Sequence, residues 1–373
     1  MSNVGIKTVS TKKDLQNFIK LEWDIYKNDP YWVPHLLMER KKILGRKDNP
    51  FFLHGDMEYF LAYKNEILVG RIAAIKNDVH NQTHNDKVGF FGFFECINDQ
   101  EVANRLFDSA KEWLCKNKLT EMRGPASPSS NDEYALLVEG FDDSPRFLMS
   151  YNPKYYIDLI EGYGFKKAKD LYAWKIENEK MNTSEKIKRV ADLTKQRYGL
   201  KIRHINMKDF KNDVEKVKII YRAAWEPNWG FVPPTDIEMD YFAKDLKSLV
   251  DPDLVLFGEI DNKTVGFALV MPDINAIIKG LNGRLFPFGF LKFYTQKKKI
   301  KWARIVMLGI LPEYQRKGID GAMYHEIVNV AASKNIFLGE ASWVLEDNDM
   351  MNKAAMTMNA SIYKKYRIYE MPI

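Results

Sequence analysis

Arg304-Ile-Val-Met-Leu-Gly-Ile-Leu-Pro-Glu-Tyr-Gln-Arg-Lys-Gly-Ile-Asp-Gly-Ala322 joins an apolar run to a polar turn carrying Gly318 and Gly321, and apolar residues then recur at Ile319, Ala322, Met323, Ile327, Val330 and Ala331. The run reads as a buried strand over 305–311 and the recurrence as a helix over 318–333. A further apolar run over 336–345 completes strand, helix, strand, which implies a parallel crossover within a mixed sheet. N–H groups at the helix start have no partners inside the helix, and together with the helix dipole they attract phosphate oxygens. Gly318 lets an anion approach the backbone, while Arg316 and Lys317 place positive charge beside it.

Upstream, 209–224 has helical spacing, and 254–260 with 264–272 reads as a hairpin; downstream, 349–358 reads as a last helix. This plan is written twice. Phe60 to Ile75 matches Leu256 to Met271 in pattern, each with a Val-Gly pair, at Val69-Gly70 and Val265-Gly266. Two more anchors keep their order and nearly their spacing. Ile25-Tyr26 with Trp32-Val33-Pro34 matches Ile220-Tyr221 with Phe231-Val232-Pro233, and Leu171-Tyr172 matches Ile368-Tyr369. Duplication predicts two α/β modules, 1–180 and 181–373, parted in the polar stretch Glu177 to Ser184.

Composition agrees with this. With 373 residues, 46% hydrophobic and 28% charged, the chain is long enough for two cores and too apolar for general disorder. A net charge of +6 spread over that length does not argue for nucleic acid. Two cysteines, Cys96 and Cys115, suit a reducing compartment. Lys7, Lys12, Lys13 and Asp14 interrupt any signal-peptide core, and no uncharged apolar run approaches a spanning helix. A cytoplasmic protein without a transmembrane segment is the expectation.

The turn after the strand, Gly309-Ile-Leu-Pro-Glu-Tyr-Gln-Arg-Lys-Gly-Ile319, resembles the acyl-CoA loop of the GCN5-related N-acetyltransferases. That pattern is Gln or Arg, two residues, Gly, one residue, Gly or Ala. Gln315 and Gly318 match, whereas Asp320 stands at the last position and Gly321 follows it. The whole length resembles a bacterial group with two tandem modules of this kind, through Pro30-Tyr-Trp-Val-Pro34, Gly89-Phe-Phe-Gly-Phe-Phe-Glu95, Arg123-Gly-Pro125, Asn228-Trp-Gly-Phe-Val-Pro233 and Trp343-Val-Leu-Glu-Asp-Asn348.

The resemblance implies tandem modules of the acetyltransferase fold and transfer of an acyl group, acetyl in the first instance, from acetyl-CoA or another acyl-CoA to an amine of a small molecule or peptide. It assigns the coenzyme to Leu308 and Ile310 on the strand and to Gln315, Arg316, Lys317, Gly318, Ile319, Gly321 and Ala322 in the loop and helix. Glu340 is a candidate base, as are Glu346 and Asp347. Asn348 fits the family's asparagine, but Ala355 occupies the place of the tyrosine that protonates the thiolate, and Tyr363 comes too late to align with it. Trp225, Asn228, Trp229 and Phe231 form an aromatic cluster able to wall an acceptor pocket or to pack between modules. The first half lacks the loop, with acidic Asp99 and Glu101 where phosphate would sit.

Two other readings stay open. One is a binding protein that keeps the fold while Asp320 and Ala355 mark lost chemistry. The other is a transferase of long acyl chains or of aminoacyl groups, favoured by Leu285 to Leu291 and the lysines at 297–299 and 301. That segment suits a membrane surface, or an arm packed on its own protein or a dimer mate. His80 and His84 have metal-like spacing without a third ligand, so they are expected to be solvated and no metal is assigned.

Overall fold

A computed structural model describes residues 4–177, 183–285 and 289–373. The expected boundary at 180 and Phe286-Pro287-Phe288 lie outside them. In chain order the elements are β1 (Val4–Thr8), α1 (Lys12–Ile25), α2 (Leu37–Ile43), β2 (Gly55–Lys64), β3 (Ile67–Asn77), α3 (Asp78–His84), β4 (Val88–Cys96), α4 (Gln100–Lys116), β5 (Glu121–Gly124), β6 (Ala126–Ser127), β7 (Glu133–Tyr134), β8 (Leu136–Glu139), α5 (Tyr156–Tyr163) and β9 (Lys166–Glu177). There follow α6 (Glu185–Tyr198), β10 (Lys201–His204), α7 (Phe210–Trp225), α8 (Asp236–Leu246), β11 (Val255–Ile260), β12 (Lys263–Pro272), α9 (Asn275–Ile278), α10 (Gly289–Gln296), β13 (Trp302–Ile310), α11 (Ile319–Ser333), β14 (Leu338–Leu345), α12 (Asp349–Thr357) and β15 (Ser361–Pro372).

The chain divides into two compact units. The first holds Met1–Leu171, Ile277–Phe293 and Lys364–Ile373; the second holds Tyr172–Ala276 and Tyr294–Tyr363. Each repeats one topology. In the first unit β1 to β4 form an antiparallel meander and β4 pairs parallel with β5. In the second, β10 to β13 form the meander and β13 pairs parallel with β14. The central hairpins turn alike: Asn65-Glu66 and Asp261-Asn262 both have positive φ. Two such residues make the turn whose twist matches that of the strands.

Long-range pairing completes the first unit. Its sheet takes the end of β15, with Tyr369 opposite Gly124 and Met371 opposite Met122. Its core packs α4 residues Val102, Leu106, Phe107 and Ala110 against Phe91 and Ile72. The arm at 277–293 belongs to this unit as well. Trp23 Nε1 donates to Asn282 Oδ1 at 2.7 Å, and the Leu37 N–H donates to the Gly283 carbonyl at 3.0 Å. The arm therefore packs on its own protein.

In the second unit α11 buries Ile319, Ala322, Met323 and Ile327 against Leu256, Val265 and Ala268, with Ala191 of α6 beside them. α7 covers the other face through Ile220 and Tyr221 on Phe257 and Phe267. These two layers place a strand-to-helix turn and a parallel strand pair side by side.

Candidate active site

The β13–β14 ladder runs from Trp302 opposite Leu338 to Ile305 opposite Ala341, and it ends there. At the same level Leu269 and Val270 of β12 face Met307 and Ile305, so Val306 is an extra, bulged residue. A bulge bends its strand and breaks the local ladder. Beyond it, the β13 edge that faced β14 carries N–H and C=O groups outside that ladder, and Ile305 to Leu308 are only half-buried. Such an edge can hydrogen-bond an extended, amide-containing chain.

Where β13 ends, Leu311 leads through a short 3-10 turn at Pro312–Tyr314 into the loop and α11. Gly318 precedes the helix with φ of 80° and no side chain caps it. The helical ladder starts with the Ala322 N–H on the Gly318 carbonyl at 3.0 Å, so the amides of Ile319, Asp320 and Gly321 precede it. Lys317 Nζ lies over the Tyr314 ring, 4.6 Å from its centre. Gln315 turns inward, its Nε2 donating to the Ile310 carbonyl at 3.3 Å. Arg316 is exposed and Asp320 half-buried. α6 braces the turn from behind: Thr194 Oγ1 donates to the Lys317 carbonyl at 3.1 Å.

At the fork of the two strands lies a buried polar network. Glu340 is wholly buried, and its Oε1 accepts from Ser342 Oγ at 2.6 Å. Its Oε2 accepts from the Tyr363 hydroxyl. Arg304, the cross-strand partner of Glu340, places Nε 3.5 Å from Oε1 and donates to Ser342 Oγ at 2.8 Å. Sequence reasoning found Glu340, set Tyr363 aside as too late in the chain, and passed over Arg304 and Ser342. The available signal was a charged residue inside each of two apolar strands.

Comparison with known proteins fits this geometry. No family model matches the chain. It is 34% identical to Protein YghO of Escherichia coli K12, over 99% of this chain and 95% of that one. It is also 34% identical to the bacterial ceramide synthase of Caulobacter vibrioides, over 99% and 97%. A tandem acetyltransferase-fold protein from the clavulanic acid biosynthesis pathway superposes with a TM-score of 0.57 at 10% identity, covering 99% of this chain and 98% of that one. A probable N-acyltransferase from Enterococcus faecalis gives 0.54 at 11%, covering all of this chain and 73% of that one. The chain belongs to the family of Protein YghO and the bacterial ceramide synthase, and its fold is that of the tandem GCN5-related N-acetyltransferase proteins.

Within that family frame the remaining site residues take definite places. Asn348 caps α12, its Oδ1 accepting from the Met351 N–H at 3.1 Å. Ala355 is buried against Trp174 and Val344. The Trp174 indole donates to Asn352 Oδ1 at 3.1 Å and packs in the same buried cluster as Ala355. Trp225 stacks on Tyr221 with 4.7 Å between ring centres and lies so close to Gly309 that any side chain there would collide with it. Phe231 is buried in the same cluster. Asn228 and Trp229 are half-buried in the loop between them.

The corresponding fork of the first unit is filled by its own chain. The β4–β5 ladder ends at Phe90 opposite Arg123; the Ala126 carbonyl then lies against Gly92, and Ser127 Oγ takes the Phe93 N–H at 2.8 Å. At α4 the Asp99 carboxylate accepts from the N–H groups of Glu101 and Val102, at 3.0 and 3.3 Å. A carboxylate thus occupies the helix start that a phosphate would need. Beneath it lies a chain of buried ionisable groups. Tyr156 donates to Glu95 Oε2 at 2.6 Å, Arg71 bridges Glu95 and Glu22 at 3.6 and 2.5 Å, and His35 joins Glu22 to Glu133 at 2.8 and 3.0 Å. Burial, with Glu22 nearby, pushes the Glu95 carboxyl up to about 7 against the pull of Arg71. His80, expected in solvent, is buried edge-on to Phe90, and burial lowers its ring to about 4. Among the described residues no cluster of three or more His, Cys, Asp or Glu side chains could hold a metal ion, and no helix is long and apolar enough to cross a membrane.

Proposed function

We propose that this protein is an acyl-CoA-dependent N-acyltransferase whose acceptor is the primary amine of a long-chain amphiphile. The carrying observation is the fork: a bulged strand with an unlaced edge that runs directly into an uncapped helix start behind Gly318. A pantetheine arm has two amides to pair with such an edge, and a diphosphate suits the amides of Ile319 to Gly321 with Lys317 and Arg316 alongside. Leu308 and Ile310 line the strand side, Gln315 fixes the turn, and Ala322 closes the first helical bond. On this reading residues 181–373 form the coenzyme-binding module, and residues 1–180 form a module without the loop.

The amide-forming class follows from the relative named as a ceramide synthase, since a ceramide is the N-acyl derivative of a long-chain amino alcohol. Backbone N–H groups near the bulge would stabilise the oxyanion that forms when an amine attacks the thioester. Trp225 and Trp229 offer apolar walls on the acceptor face. The test is incubation with palmitoyl-CoA and sphinganine, following thiol release and amide formation by mass spectrometry, with acetyl-CoA in parallel. Thiol release without an amide, or none with either donor, overturns the proposal.

A further inference from the structure

We infer that Tyr363 is the acid–base group of this transfer, with Glu340 behind it as proton store and Arg304 as the charge that positions Glu340; the inference rests on the acyl-transfer reading above. Three observations carry it. First, the network lies at the fork, since Arg304 and Glu340 face each other one register step before the ladder ends at Ile305 and Ala341. Second, the burial is graded: Glu340, Arg304 and Ser342 are buried, whereas Tyr363 is half-buried, so the phenol is the member that a substrate can reach. Third, the direction of the hydrogen bonds is set. The Tyr363 hydroxyl donates to Glu340, so a proton leaving the phenol passes to that carboxylate.

Arg304 comes from β13, Glu340 from β14 and Tyr363 from β15. On β9 Lys175 lies over the Trp302 ring, 5.8 Å from its centre, and is paired with Glu177. Trp302 in turn stacks on Tyr363 and holds the phenol in place, with ring centres 6.3 Å apart.

The step balances. The amine nitrogen forms a bond to the thioester carbon, and the carbonyl electron pair moves to oxygen. The excess amine proton passes to Tyr363 Oη while the Tyr363 proton passes to Glu340. Collapse breaks the C–S bond, and the departing thiolate receives a proton back through Tyr363, restoring Glu340 as carboxylate. This arrangement replaces the helix tyrosine whose place Ala355 occupies.

The experiment uses the full chain with palmitoyl-CoA and sphinganine as probes. Tyr363→Phe keeps the ring against Trp302 and should lower kcat by about 100-fold or more, leaving the KM for palmitoyl-CoA within about threefold. Glu340→Gln should also lower kcat, by about tenfold or more, with the KM for palmitoyl-CoA again within about threefold. Because the two act in one relay, the double variant should be little worse than Tyr363→Phe alone. An unchanged kcat in Tyr363→Phe, or losses that multiply in the double variant, overturns the inference. Should Tyr363→Phe fail to fold, Glu340→Gln decides, and an unchanged kcat there refutes the relay. If the wild type forms no amide with sphinganine or hexadecylamine, the acyl-transfer reading itself falls and takes this one with it.

Discussion

Gly318→Ala separates the two jobs that a glycine can have at this turn. Its φ is 80°, a region that costs a residue with a Cβ about 1–2 kcal/mol. The new Cβ would also fall 2.7 Å from Thr194 Oγ1 and 2.9 Å from Val190 Cγ1 of α6. To make room Thr194 must turn and give up its bond to the Lys317 carbonyl, worth about 1 kcal/mol. Together these give about 2–3 kcal/mol. With a urea dependence of roughly 2–3 kcal/mol per molar, the unfolding midpoint of the second unit should drop by about 1 M. Adding Thr194→Ala and Val190→Ala removes the collision but not the backbone cost, so Gly318→Ala should cost about 1–2 kcal/mol in that background. A midpoint unchanged by Gly318→Ala, or a full loss persisting in the triple variant, would refute the claim that the fold itself demands this glycine.

Asp320→Asn should raise CoA affinity about two- to fivefold by calorimetry at low salt, and the gain should shrink at 0.3 M salt, because the half-buried carboxylate sits where the dipole draws an anion. An equal or weaker affinity would place that side chain away from the diphosphate. Glu340→Ala should cost about 3–5 kcal/mol, since it strands the Arg304 charge, whereas Arg304→Met with Glu340→Leu should recover most of it in urea titrations. Between pH 5 and 7 two buried groups of the first unit oppose each other: His80, whose ring burial lowers to about 4, adds about 2 kcal/mol of stability as the unfolded chain's imidazole gives up its proton near 6.5, while Glu95 removes a similar amount. Glu95 keeps a proton up to about 7 in the folded state that the unfolded chain has released near 4.5, a loss of roughly 2–3 kcal/mol by pH 7. His35 adds to the loss between 6.5 and about 9; burial and Arg40 lower its ring, but Glu133 and Glu22 outweigh them. Calorimetric Tm should therefore change little from pH 5 to 7 and fall from 7 to 9, whereas in Glu95→Gln it should rise from 5 to 7; the same flat profile in Glu95→Gln would contradict the burial of Glu95.

What was legible in the sequence was local. The hairpin over 254–272, the helix over 318–333 and the last helix starting at Asp349 lie within a residue or two of β11, β12, α11 and α12, because alternation, helical spacing and an Asn-Asp cap are short-range signals. The duplicated plan emerged for the same reason. Strand partners chosen far along the chain leave no such trace. Nothing near Ala355 announces that Trp174 will pack against it, and nothing near Glu340 that Tyr363, 23 positions on, will reach its carboxylate. Glu340 stood out by its place in the strand after the loop helix, and its meaning depends on Arg304, which lies opposite it through a parallel pairing.

The last strand of the first unit has a consequence for biosynthesis. Arg123 on β5 is held by Glu370, 247 positions later, so this sheet keeps an open edge while most of the polypeptide is still being translated. An exposed strand edge is a template for unwanted pairing. During synthesis that edge would stay without its partner strand until β15 has been made.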